Sequence, residues 1–307
     1  MSPAARPPHV FTLTGNLLAE RTLEFDAWAP GRTQRARRES FQVGGKGINV
    51  AKMLTRLGTA NTALCFAGGA TGAECEAWLA ARRFSYRAFS TVAATRSGTV
   101  VRTAPASPAD SAPQPETTFL GPDAPPDAAA IRACAGFLDS QPAGQLLALC
   151  GSVPGWSHAD FDPLRAALLR WQARGSLVAD TYGPPLHWFT AQSIDLIKIN
   201  AHELRTLAPA TPDTPPPTTK SWVITDGPAN VRVWENGSQT TLTPPPVVEV
   251  SPTGSGDVLL ACILHARING SPNLPAAVAF SLPYAAANAA HPGIAEFPDP
   301  PASLRPF

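Results

Sequence analysis

The chain has 307 residues, 44% of them hydrophobic and 15% charged, which supplies a buried core and excludes a disordered polyelectrolyte. With 24 Lys and Arg against 23 Asp and Glu the net charge is +1, so any anion site must be local, and neither a nucleic-acid nor a membrane surface is expected. Length alone allows one large α/β domain or two smaller ones. The first half opens with short β-like runs, "HVFTLTG", "RTLEFDAW" and "RRESFQV". "GINVAKMLTRLG" then has helical spacing, with Ile48, Ala51, Leu54 and Leu57 on one face and Gly58 as a stop. "NTALCFAGG" reads as a buried strand, "AECEAWLAARR" as a helix, and "TRSGTVVRTA" and "PETTFLG" as two more strands. From Asp127 the rhythm is regular. Helix "DAAAIRACAGFLDS" precedes strand "QLLALCG", helix "ADFDPLRAALLRWQARG" precedes strand "SLVADT", and "IDLIKIN" and "SWVITDG" follow as strands. "VRVWENGSQTTL" is a hairpin turning on Asn236-Gly237. Helices alternating with short apolar strands predict an α/β fold with a mostly parallel central sheet covered on both faces. The early strands do not alternate with helices and are expected to form a small β-rich appendage. Two Pro-rich stretches, "APASPADSAPQPE" and "APATPDTPPPTTK", read as loops within one unit, not as linkers, so 1–307 is expected to be a single domain.

The five cysteines, Cys65, Cys75, Cys134, Cys150 and Cys262, are odd in number and never form a Cys-x-x-Cys pair, which argues against zinc and disulfide frameworks. The N-terminus lacks the apolar core of a signal peptide, and no apolar run approaches the roughly 20 residues of a membrane span. A cytoplasmic protein is expected.

Two glycine-rich turns carry the chemistry. "SPTGSGDVLL" sets two glycines, two serines, a threonine and Asp257 directly before an apolar helix. Such a turn lets backbone N–H groups converge at a helix N-terminus, where the dipole favours an anion. A carboxylate there could take a proton from a hydroxyl attacking that anion, although Asp before a helix also serves as a plain N-cap. "FQVGGKGINVAKML" is the second turn, with Lys46 inside and Asn49 behind it. It is not a Walker A loop, because Gly47 follows the lysine where Ser or Thr must hold the metal, and no dinucleotide fingerprint follows the first strand.

These two stretches, in this order, resemble the two signatures of the ribokinase-like carbohydrate kinases. "GGKGINVA" is most similar to the branch of 1-phosphofructokinase and tagatose-6-phosphate kinase. "TGNLLAERTLEF", "LCGSVPGW", "DTYGPPL", "DLIKINAHEL" and "VITDGPANV" fall where that branch carries its other motifs, so the resemblance spans nearly the whole chain. It implies a ribokinase-like fold with a β-sheet lid built from about 20–43 and 95–122, and a homodimer through the lid. It also implies ATP and Mg²⁺ as cofactors and a ketohexose phosphate as acceptor, fructose 1-phosphate being converted to fructose 1,6-bisphosphate.

Carried over residue by residue, the resemblance makes Asp257 the base, with Gly254, Ser255 and Gly256 presenting amides to the transferring phosphoryl group. Asn200 and Glu203 would organise Mg²⁺, through water, around the nucleotide phosphates; an N-cap with a capping-box glutamate is the alternative for this pair. Thr225, Gly227 and Asn288 would line the nucleotide pocket. On the acceptor side, Glu20, Asn49 and the Gly44-Gly45 backbone would reach sugar hydroxyls, while Lys46, Arg96, Arg35 and the Ser152 hydroxyl would meet the sugar's phosphate. Arg37 and Arg38 fit a solvated strand face better.

Several positions depart from the family pattern. Glu20 replaces Asp, Leu17 and Ile199 replace prolines, Pro252 replaces Thr, Asn230 replaces a glycine and Gly98 replaces Asn. The segment 207–220 is Pro-rich where relatives carry a helix. Two other readings therefore stand beside the leading one: an unphosphorylated sugar or nucleoside as acceptor, and a catalytically impaired sugar-phosphate sensor.

Overall fold

A computed structural model of the chain describes residues 8–103, 116–209, 211 and 213–300. It opens with β1 (Val10–Thr14), β2 (Leu18–Phe25), β3 (Arg38–Gly44), α1 (Lys46–Arg56), β4 (Asn61–Ala67), α2 (Gly69–Ala81), β5 (Tyr86–Ser90), β6 (Arg96–Thr103) and β7 (Glu116–Leu120). Then come α3 (Ala128–Ser140), β8 (Leu146–Cys150), α4 (Asp162–Gln172), β9 (Ser176–Asp180), α5 (Pro184–Thr190), β10 (Leu196–Asn200) and α6 (Ala201–Leu207). The last part holds β11 (Ser221–Thr225), β12 (Val231–Glu235), β13 (Ser238–Leu242), α7 (Ser255–Ile268) and α8 (Leu274–Ala289).

Nine strands form one sheet in the order β13-β12-β11-β10-β9-β8-β1-β4-β5. It is parallel from β11 to β5, and the β12–β13 hairpin adds an antiparallel edge. The turn of that hairpin holds Asn236 and Gly237 at φ of 52° and 77°, as the Asn-Gly pair requires. Alternation along each strand divides the core. Phe11, Leu13, Leu147, Leu149, Ile197 and Ile199 face α3 to α6, whereas Val10, Leu146, Ala148, Leu196 and Val223 face α1, α7 and α8.

The second sheet has four strands, ordered β3-β2-β6-β7, and corresponds to the expected lid; 104–115 of the lid segment lie outside the described residues. The lid joins the body at both ends of its first hairpin. Only 15–17 separate β1 from β2, and Gly45 alone separates β3 from α1. α2 closes the gap, packing Cys75 and Leu79 against Leu17, Ala19 and Val43 of the lid side and Ala63 and Cys65 of β4.

One expectation is corrected here. The first run, "HVFTLTG", is no part of a β-rich appendage: β1 lies inside the main sheet between β8 and β4. All five of its residues are buried, which suits a central strand, and the appendage starts only at β2. Two elements escaped the periodicity. β5 is an edge strand with an uneven burial pattern, and α5 is a seven-residue helix started by Pro184 and Pro185. No helix among the described residues is long and apolar enough to cross a membrane.

Candidate active site

Parallel strands deliver their carboxyl ends to one edge of the sheet, and the candidate residues gather there. The turn before α7 sits at its centre. Gly254 caps the helix at φ 76°, a left-handed conformation, and a Cβ on it would stand 2.6 Å from Ile294 Cγ2. The first turn of α7 has no preceding carbonyls to occupy the amides of Gly256 and Asp257. The Ser255 amide differs from expectation: it donates to the Pro252 carbonyl at 3.2 Å. Asn288, expected to line a nucleotide pocket, is absent from the lining of the cavity beside the loop. It is fully buried, donates to the Thr253 carbonyl (3.0 Å) and Ser255 Oγ (3.1 Å), and accepts from the Ala295 amide (2.9 Å). It pins the loop that lines the cavity.

Beneath the loop lies a group of four charges, of which Asp180, Lys198 and Asp257 are buried and Lys46 is partly exposed. Asp180 ends β9 and receives Lys198 Nζ, from β10, at 2.8 Å and Lys46 Nζ, from the start of α1, also at 2.8 Å. Both carboxylate oxygens are thus occupied. Burial opposes the Asp180 charge, yet the two ammonium groups hold its carboxyl below the usual range. Lys198 reaches under the anion loop, where a Cβ on Gly256 would stand 2.6 Å from its Nζ, so only glycine permits that approach. Asp257 is the second carboxylate. Burial first and then the Asp180 charge push it up to about 6, against the pull of Lys46, Lys198 and the Asn49 amide, which donates to its Oδ2 at 2.7 Å.

Lys46 was expected beside a sugar phosphate. Its ammonium sits on Asp180 and 3.8 Å from Glu203 Oε1 at the carboxyl edge of the sheet. Burial disfavours that charge, but Asp180, Asp257 and Glu203 together keep it protonated well above the ordinary lysine range. Asn200 and Glu203 form the capping box that was the alternative reading: Asn200 Oδ1 accepts from the Glu203 amide and Glu203 Oε2 from the Asn200 amide, both at 2.8 Å. The box leaves Glu203 Oε1 directed at Lys46.

Beside the loop is a cavity of about 550 Å³ whose lining includes Thr225, Gly227, Pro245, Pro252, Ser255, Gly256 and Leu282. Thr225 and Gly227 thus stand where they were expected to line a pocket. Gly227 makes the turn after β11 at φ 56°. Asn230 needs no positive φ there and bonds Thr243 instead, at 3.0 Å.

The acceptor-side candidates separate into groups. Gly44 and Gly45 form the joint between lid and α1. Glu20 lies opposite Gln42 in the lid sheet and accepts a hydrogen bond from its amide. Burial, in the first place, and Glu116 raise its carboxyl despite that bond. Arg96 and Ser152 belong to one cluster with Asn16 and Asp123. Arg35 is exposed in the loop between β2 and β3. Sequence reasoning missed Asp180, Lys198, Asn16 and Asp123 as site residues. A signal existed for the first two, since a charged residue within or at the end of an otherwise apolar parallel strand ("SLVAD", "LIKIN") has no packing role.

A family model described as pfkB family carbohydrate kinase matches residues 14–107. The chain is 28% identical over 269 residues to an ATP-dependent 6-phosphofructokinase isozyme 2 of Mycobacterium tuberculosis, covering 83% of this chain and 77% of that one. It is 28% identical over 197 residues to a 1-phosphofructokinase of Bacillus subtilis, covering 64% and 61%. Among solved structures, phosphofructokinase-2 from Escherichia coli in complex with substrates and products superposes with a TM-score of 0.80 at 23% identity, over 92% of this chain and 93% of that one.

The raised Asp257 fixes a stability prediction. Its carboxyl binds a proton near pH 6 in the native state but near 3.8 when unfolded, so the ionised form opposes folding at neutral pH. Asp257→Asn keeps an oxygen for Asn49 and is expected to stabilise the protein at pH 8 by on the order of 2 kcal/mol. The gain should shrink as pH falls from about 6 towards 4. Thermal unfolding of both proteins across that range checks this, and a constant difference would refute the burial argument.

Proposed function

We propose, from the match of residues 14–107 to the pfkB carbohydrate-kinase model and from the similarity to two phosphofructokinases, that the chain moves the γ-phosphoryl group of ATP onto a hydroxyl of a ketohexose phosphate, with fructose 1-phosphate as first candidate. One observation carries this reading. Asp257 is buried between the nucleotide-sized cavity, lined by Ser255 and Gly256, and Asn49, which comes from the turn next to the lid. The named relatives, a 6-phosphofructokinase and a 1-phosphofructokinase, support a phosphorylated ketohexose over a free sugar.

The base and ribose of the nucleotide would occupy the cavity, whose apolar walls suit an aromatic ring. The amides of Gly256 and Asp257, with the Lys198 ammonium beneath, then face the terminal phosphate. Asp257 takes the proton of the acceptor hydroxyl as its oxygen bonds to the γ-phosphorus. The bond from that phosphorus to the β–γ bridging oxygen breaks, and ADP leaves with the electron pair. Asn49 holds the carboxylate through its Oδ2. Mg²⁺ fits this donor set as a nucleotide-borne ion: it needs one or two carboxylates besides phosphates and water, and Glu203 Oε1 offers one. The ion would neutralise phosphate charge there. Lid closure over the acceptor would keep water, a competing nucleophile, from the phosphoryl group.

A homodimer through the lid belongs to the same proposal. Phe119 and Leu120 of the edge strand β7 are each 55% exposed, apolar side chains that a second lid would cover. Sedimentation should show a dimer that Phe119→Asp weakens.

The deciding assay offers ATP and Mg²⁺ with free and phosphorylated ketohexoses. Turnover confined to free sugars would overturn the proposed acceptor. Asp257→Asn is expected to lower kcat by about 10²-fold or more while nucleotide affinity stays within about threefold. For the wild type, kcat/KM should rise with pH through about 6 and level off, because only the ionised carboxylate accepts the proton. A profile flat down to pH 4.5 would reject Asp257 as the base.

A further inference from the structure

The cluster around Arg96 contains an acid that the phosphate-binding expectation did not foresee. Arg96 opens β6 and Asp123 follows β7, so both stand at one end of the lid, where the Gly121 amide bonds the Ser97 carbonyl at 2.8 Å. Asn16 follows β1 and Ser152 follows β8, at the carboxyl edge of the main sheet. One oxygen, Asp123 Oδ1, joins the two halves. It accepts from Arg96 Nη1 at 3.0 Å and from Asn16 Nδ2 at 2.8 Å, and the same Asn16 amide nitrogen lies 3.0 Å from Ser152 Oγ.

The partners differ in how firmly they are fixed. Asn16 is buried and the Arg96 side chain only 14% exposed, whereas the Asp123 side chain is 56% exposed. Arg96 also has a donor to spare: its Nε is buried without a hydrogen-bond partner among the described residues. A guanidinium with five N–H groups is thus held through a single nitrogen by an acid half in water, a weak grip. A phosphate brings three oxygens and can engage two edges of the guanidinium at once. The donors meeting at Asp123 Oδ1 are those a phosphate oxygen would use.

We propose that Asp123 is a built-in competitor for the acceptor's phosphate: its carboxylate holds the guanidinium and amide that a phosphorylated acceptor must win, and so sets how strongly the enzyme binds that phosphate. The inference rests on the reading of the acceptor as a sugar phosphate. It makes Asp123 a specificity residue, because an acceptor without a phosphate has nothing to exchange for the carboxylate. It also ties acceptor binding to the lid, since displacing Asp123 breaks the link between the segment after β7 and Asn16 of the body.

The test is Asp123→Asn, which keeps the oxygen and removes the charge, with Asp123→Ser as a second variant should the first fold poorly. Titration with inorganic phosphate, followed by calorimetry, should show binding tightened about tenfold. The KM for a phosphorylated ketohexose should fall by a similar factor, and by more than that for a free ketohexose. The same substitution made with Arg96→Ala should give no gain. Unchanged or weaker phosphate binding in folded variants would overturn the proposal. A gain that persists without Arg96 would overturn it too, as it would reflect only the lost negative charge in the neighbourhood. If neither wild type nor variant turns over any sugar phosphate, the acceptor reading has failed, and the phosphate titration, which needs no acceptor, still decides the role of Asp123.

Discussion

Two carboxylates and two ammonium groups, gathered under a turn of glycines, form the constraint on which the rest of this molecule depends. Asp180 bridges Lys46 and Lys198, and Asp257 stands close enough for each of the other three charges to shift its proton affinity. Taking such charges out of water is costly, and replacing such a group by apolar side chains commonly stabilises a protein. The set sums to no net charge, and it joins the ends of β9 and β10 to the starts of α1 and α7, elements far apart in the chain.

The doubly covered sheet supplies the stiffness this arrangement needs. Val178 and Leu196 lie in the core beneath α7, and two residues further along their strands Asp180 and Lys198 emerge on the same face. The period-two alternation that fills the core therefore aims the ion pair at the anion loop. The body meets a smaller sheet tied to it by short connections, so α1 carries Lys46 and Asn49 directly from the end of a lid strand.

How much of this could be read from residues differs by element. The α/β class, the lid and the two glycine turns were legible, because they follow from local spacing and from motif order. The position of β1 was not: "VFTLT" looks like any short strand, and only its pairing with β8, more than a hundred residues later, makes it central. Asn200 and Glu203 show a different limit. The pattern N-x-x-E serves a cap and an ion site equally well, and the structure shows the cap is made with one glutamate oxygen left over. The partner of Lys46 was not legible either, because Asp180 lies 134 positions away. Asp123 carries no local signal at all. Its meaning comes from Arg96 and Asn16 meeting it in space.

The pinning of the anion loop has a consequence for the order in which the protein comes alive. Gly254 is packed by Ile294, and the loop is tied through Asn288 to Ala295, so its shape depends on residues made some forty positions after it. A nascent chain that has emerged through α7 already carries Asp257, the glycines and both lysines, yet lacks the clamp that holds the loop. Synthesis from the N-terminus therefore yields the scaffold first, and the loop acquires its clamp only when the last helix and the segment after it are made.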